Sequence, residues 1–200
     1  MKAQPSENEK VAPAALLKNL WVIRPEPNFV NRLDVFLREG IVAIGWPAVG
    51  NLSGLNREAL TERLSDTYSH YRHEQKSDLA VAAGVLDRFV NHIIEGDIVL
   101  VPHESDVYLA KVLGPYEYHS ELSQDGPKAG YPHWHKVAFL NSGDPLCRIK
   151  ELPLGVRRSI DCRLTVFSIH SAARAMWGFL NMLKVKGLEG FLHGVKTTAE

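Results

Sequence analysis

Three flat side chains stand where a strand would end. Trp46 follows Gly45 and precedes Pro47, and Tyr116 and Tyr118 come just after Gly114-Pro115. A planar heterocycle needs an apolar partner on each face, and stacking on an aromatic ring contributes roughly 1–3 kcal/mol per base. Trp46 with Tyr116 or Tyr118 would supply both faces. Polar groups that could read the edge of such a ring lie in turn-forming sequence. Asn51 and Ser53 sit in a loop bounded by Gly50 and Gly54, and Asp97 follows Gly96. An Asn amide both donates and accepts, as bidentate base reading requires. The competing reading is that the rings are core packing and the Asn and Asp are turn residues chosen for their backbone habits.

His133 and His135 are two apart on a β pattern and therefore share a face, with His119 nearby. Clustered histidines could hold zinc and support a metal-dependent hydrolase, but no Cys or acidic third ligand stands at a set distance. Between positions 128 and 163, seven basic residues (Lys128, Lys136, Arg148, Lys150, Arg157, Arg158, Arg163) face three acidic ones. That excess would straddle phosphates, with Arg157 and Arg158 the first choice and Lys136 beside them; the alternative is a solvated face. No GxSxG elbow, P-loop, HExxH or GxGxxG occurs, so nothing points to nucleophilic catalysis, and no cofactor is expected.

The bulk numbers narrow the class. Lys+Arg and Asp+Glu are 23 each, a formal net charge of zero. Binding carried by phosphate contacts alone favours a basic protein, so a nucleic-acid role here must rest on a local patch or on base contacts. Two cysteines, Cys147 and Cys162, are too few for a disulfide framework. No apolar run nears the roughly 20 residues that span a bilayer. The segment MKAQPSENEK lacks the apolar centre of a signal peptide, and a cytoplasmic protein is expected.

The elements that must position these residues follow from pattern. Residues 1–18 read as a polar, flexible lead-in and 19–170 as one domain. Residues 171–200 read as a C-terminal helix and tail, and an alternative reading makes that helix, with Met176, Trp177, Phe179 and Leu180, a protein-interaction surface. Strands are expected at Leu20–Arg24, Ile41–Trp46, His133–Leu140 and Leu164–Ile169. A hairpin is expected from Ile98–Val101 and Val107–Leu113 around His103-Glu104-Ser105-Asp106. Helices are expected after Asn28 (with Phe29, Leu33, Phe36 and Leu37 inward), from about Asn56 to Tyr71, over Leu79–Ile94, and over Ala172–Val185. Short, hairpin-linked strands with helices give an α+β class, and a small curved β-barrel with helices packed around it fits better than a doubly wound parallel sheet.

An ordered set of segments carries a family resemblance. IVAIGW at 41–46, GNLS at 50–53, Arg88-Phe89, GDIV at 96–99, KVLGPYEY at 111–118, Tyr131-Pro132-His133 with Val137, and LTVF at 164–167 occur in that order. The set resembles the PUA-like or EVE-like domain at the N-terminus of Mrr-type restriction endonucleases and related defence proteins, over residues 20–170. The resemblance implies a pseudo-barrel that flips a modified base into an aromatic-lined cavity, without the nuclease half. It implies DNA as partner, a separate nuclease or other effector as a second, and RNA as the alternative ligand. Trp46, Asn51, Ser53, Asp97, Tyr116, Tyr118 and His133 would form the pocket. The family's His-x-Arg is here His133-Trp134-His135, and His135 offers fewer donors than Arg.

Overall fold

The computed structural model describes residues 19–73, 76–124, 129–184, 188 and 191. The expected lead-in, Lys128 and most of the tail lie outside the described residues.

Leu20–Ile23 (β1), Ile41–Ile44 (β2), Ile98–His103 (β3) and Asp106–Tyr118 (β4) form one sheet with His133–Phe139 (β5), Cys147–Arg148 (β6) and Val166–Ser168 (β7). The order is β2-β5-β4-β3-β1-β7, with β6 added to β4. β1 runs parallel to β3, and the other pairs are antiparallel. The α+β expectation thus appears as a mixed α/β sheet, but the sheet is open: among the described residues β2 and β7 are unpaired edges. Closure needs tilted strands with a consistent stagger, and edge strands of four and three residues are too short to meet around a barrel.

Alternation along the strands buries both faces. Trp21, Ile23, Val99 and Val101 point into one core with Leu33–Glu39 (α1), Arg57–Thr67 (α2) and Lys76–Asp87 (α4), the one-turn helix His70–His73 (α3) lying between the last two in sequence. Leu20, Val22, Ile98 and Leu100 point into a second core with Leu154–Ile160 (α5) and Ala173–Leu183 (α6). Met176, Phe179 and Leu180 of α6 are buried there, so these three members of the proposed interaction surface are spent on the chain's own sheet.

Local chemistry sets the element ends. Asn56 caps α2 by accepting from the Ala59 N–H at 2.9 Å. Gly40 closes α1 in the left-handed conformation. A π-helical turn, Arg88–His92, ends the α4 segment. The Gly114-Pro115 break does not end β4. It becomes a bulge between Val112 and Tyr116, after which the ladder with β5 resumes. α1 begins at Leu33, whose N–H bonds Asn31 Oδ1. Asn28 and Phe29, expected to open that helix, instead form a tight turn with φ of +52° and +60°.

Candidate functional site

Two turns meet at one end of β2. The first, Pro27–Phe29, is held by the Phe29 N–H donating to Glu26 O and the Val30 N–H to Pro27 O. The second is Gly45-Trp46, in which Trp46 also has positive φ, +59°. Left-handed backbone is uncommon for any non-Gly residue and an outlier for bulky ones; three such residues line the same hollow. Gly45 is required by contact: a Cβ there would lie 2.8 Å from the Asn28 backbone nitrogen. The turns are therefore packed backbone to backbone.

Between them and the end of α2 opens a cavity of about 360 Å³, lined in part by Phe29, Trp46, Tyr68 and Tyr71. The walls are rings. Tyr68 and Tyr71 meet edge to face at 6.1 Å, and His70 lies 4.2 Å from Tyr71. The Trp46 indole N–H points to Tyr71 Oη at 3.4 Å, and Tyr68 Oη accepts from the Ala48 N–H at 3.3 Å. Glu26, Asn28, Asp78 and Thr165 add carboxylate, amide and hydroxyl groups to the lining. Such a hollow can stack a flat ring and accept hydrogen bonds from its edge.

Tyr116 and Tyr118, expected as its second wall, lie elsewhere. Both turn towards His133, at 5.9 Å and 5.6 Å between ring centroids. His133 is fully buried and connects two loops. Its Nε2–H donates to the Trp46 carbonyl at 3.3 Å, which fixes the tautomer and leaves Nδ1 to accept from Tyr116 Oη–H at 2.7 Å. Tyr116 Oη in turn accepts from the Leu52 N–H at 3.4 Å. Burial pushes the His133 pKa down to about 4 and the Tyr116 pKa well up, so this chain of bonds is neutral. His133 thus touches the site through the backbone of Trp46, not through the cavity.

The remaining expected residues divide. Asn51 and Ser53 are exposed, and Asn51 Oδ1 accepts from the Ser53 N–H and Oγ–H at 2.9 and 2.8 Å, an Asx turn. Asp97 is buried and structural: its carboxylate accepts from Trp21 Nε1–H (2.7 Å), Asn19 Nδ2–H (2.9 Å) and the Ile94 N–H (3.1 Å). Lys136 pairs with Glu117 at 3.4 Å, Arg157 donates to Lys150 O at 3.3 Å, and Arg158 is exposed on α5.

The three histidines of the zinc reading do not converge. His135 donates through Nε2 to Phe89 O at 2.7 Å inside the core. His119 stacks on Trp134 at 3.8 Å and pairs with Glu117 and Glu121, and Trp134 alternates to the other side of β5 from His133 and His135. Among the described residues no three His, Cys, Asp or Glu side chains are grouped to hold a metal.

Sequence reasoning missed Glu26, Asn28, Phe29, Tyr68, His70, Tyr71, Asp78 and Thr165 as cavity residues. One local signal existed. Pro25 and Pro27 rigidify the segment before Phe29, which argues against a helix there. Tyr68 reads as one more inward position of α2, but the chain leaves the helix at that residue, with φ −114° and ψ 102°, and the ring turns to the cavity.

No curated protein and no solved structure matches this chain. One family model does, across residues 29–162, a stretch that begins at Phe29 and includes Trp46, Tyr68, Tyr71 and the His133 chain of bonds. The chain belongs to the family described as "Domain of unknown function (DUF8426)".

Proposed function

We propose that this chain is a non-catalytic nucleic-acid-binding domain that takes a modified base of DNA, flipped out of the duplex, into the cavity at Trp46. The observation that carries the reading is the cavity itself: about 360 Å³, with an indole and two phenol rings on its walls and hydrogen-bonding groups among its lining. That volume is at the small end of the roughly 300–1,000 Å³ usual for small-ligand sites. The zero net charge supports specificity through the base over affinity through phosphates. The PUA-like or EVE-like character of the domain belongs to this proposal, as does service as the recognition part of a restriction or defence system whose effector is a separate protein. Within the reading, Trp46 supplies the stacking face, and Asn28, Glu26 and Asp78 meet polar edges. Arg157, Arg158 and Lys136 would offer weak backbone contacts, and the exposed Asn51 and Ser53 would add polar ones outside the cavity.

A fluorescence-anisotropy panel tests it. Short DNA duplexes, unmodified or carrying one 5-methylcytosine, 5-hydroxymethylcytosine or N6-methyladenine, are titrated with the protein, with matched RNA as competitor. The expected result is preference for one modified DNA duplex. Equal affinity for all of them, or none for any, overturns the reading, and stronger competition by RNA moves it to an RNA-binding module.

A further inference from the structure

Phe29 is the outlier among the exposed apolar side chains: it is 99% exposed, while the next most exposed large apolar side chain among the described residues, Met182, is at 68%. A wholly solvated phenyl ring forgoes the burial that normally stabilises it. The same residue holds a left-handed backbone with φ of +60°, a conformation that an L side chain as bulky as Phe rarely adopts. Both costs fall on one residue at the lip of the cavity. Among the described residues no packing offsets them, because the ring belongs to neither core.

The surrounding sequence keeps the ring there. Pro25 and Pro27 stiffen the approach, Phe29 and Val30 are tied back to Glu26 and Pro27, and the Arg32 N–H donates to Pro25 O at 2.7 Å. The Asn28 backbone sits against Gly45, one residue from Trp46. An exposed ring is therefore fixed to the same rigid unit as the cavity wall.

We propose that Phe29 is a wedge: it enters the base stack of a duplex and occupies the gap from which the base received at Trp46 has been removed. Extruding a base leaves a hole between its neighbours, and a flat apolar side chain inserted there recovers part of the lost stacking. The inference rests on the base-flipping reading above and assigns a residue and a role that the reading does not contain.

The test compares two substrates. Parent, Phe29→Ala, Phe29→Trp and Trp46→Gly proteins are titrated against the preferred duplex and against the single strand of the same sequence, whose base is already free. Thermal melts of each variant confirm folding. Phe29→Ala is expected to weaken duplex binding on the order of tenfold to a hundredfold, the range of one lost aromatic–base stack. Single-strand binding is expected to change less than about threefold, and Phe29→Trp to restore duplex binding. Equal weakening on both substrates would make Phe29 a cavity wall and overturn the wedge. So would a Phe29→Ala protein that binds the duplex like the parent while Trp46→Gly does not, an outcome that leaves the base-reading proposal standing. A parent protein that binds neither substrate overturns both.

Discussion

Two clusters of similar residues lie on either side of one peptide, the carbonyl end of Trp46. On one side, Trp46, Tyr68, Tyr71, His70 and Phe29 surround an open hollow, two of them on strained backbone. On the other, Tyr116, Tyr118 and His133 pack on one another, and His133 uses both ring nitrogens inside the protein. The ingredients are alike: aromatic rings and imidazoles near a strand end. The difference is satisfaction. The inner cluster centres on a fully buried imidazole whose two nitrogens are both hydrogen-bonded, so the chemistry of His133 is consumed in holding the fold. The outer one leaves ring faces and carboxylates towards solvent and carries backbone strain, the combination found at binding sites. Composition near a turn does not separate the two, whereas the direction of each side chain does.

Substitutions can break the comparison, the largest effect coming from a buried anchor remote from the hollow. Asp97→Ala leaves three donors without their acceptor, one of them the buried Trp21 indole. It is expected to cost about 3 kcal/mol in denaturant melts and to leave affinity per folded molecule unchanged.

Acid acts on the inner cluster. The His133 pKa is about 4 in the fold against an ordinary 6.5, so the unfolded chain takes up its proton first as pH falls. His133 therefore contributes fully above pH 6.5, and its contribution drains away between about 6.5 and 4, amounting to roughly 3 kcal/mol. His135 shifts in the same direction, also through burial. A His133→Gln variant, compared with the parent in melts at pH 7.5 and 5, is expected to lose less stability on acidification. An equal loss in both proteins would show that His133 is not the titrating group.

Gly45→Ala forces apart the two turns that frame the hollow, because its Cβ meets Asn28 N at 2.8 Å. The expected cost is about 1–3 kcal/mol, together with weakened binding, since Trp46 and Phe29 ride on those turns. Lys136→Ala is the smallest: its pair with Glu117 is solvent-exposed, and stability should move by less than about 0.5 kcal/mol.

Much of the scaffold was legible from local pattern. β-branched runs marked β1, β2, β3 and β5, a helical period marked α2, α4 and α6, and Gly40 stood where a left-handed helix end was needed. α5 is not legible, because Leu154–Ile160 is only seven residues long, too short for a helical period to stand out. The closed barrel was an overreach, since closure depends on edge-strand length and stagger, which pattern does not encode. Trp46 stands out in the sequence because Gly and Pro bracket it, and it lines the hollow. Its partners do not stand out: Tyr68, Tyr71, Asp78 and Thr165 reach the hollow from segments far apart in sequence. Tyr116 and Tyr118 were drawn to the pocket by proximity to a strand end, whereas the bulge at Val112–Tyr116 turns them onto His133.

The claim that the open hollow, not the cluster around His133, receives the ligand is tested most directly by two substitutions in one titration of the preferred modified duplex. Trp46→Gly keeps the left-handed turn and the carbonyl that His133 holds but removes the indole. Tyr118→Ala removes a ring from the other side. The account predicts that Trp46→Gly weakens binding tenfold to a hundredfold, the range of one aromatic stack, while Tyr118→Ala binds within about threefold of the parent. Loss of binding in Tyr118→Ala with Trp46→Gly unaffected would contradict it.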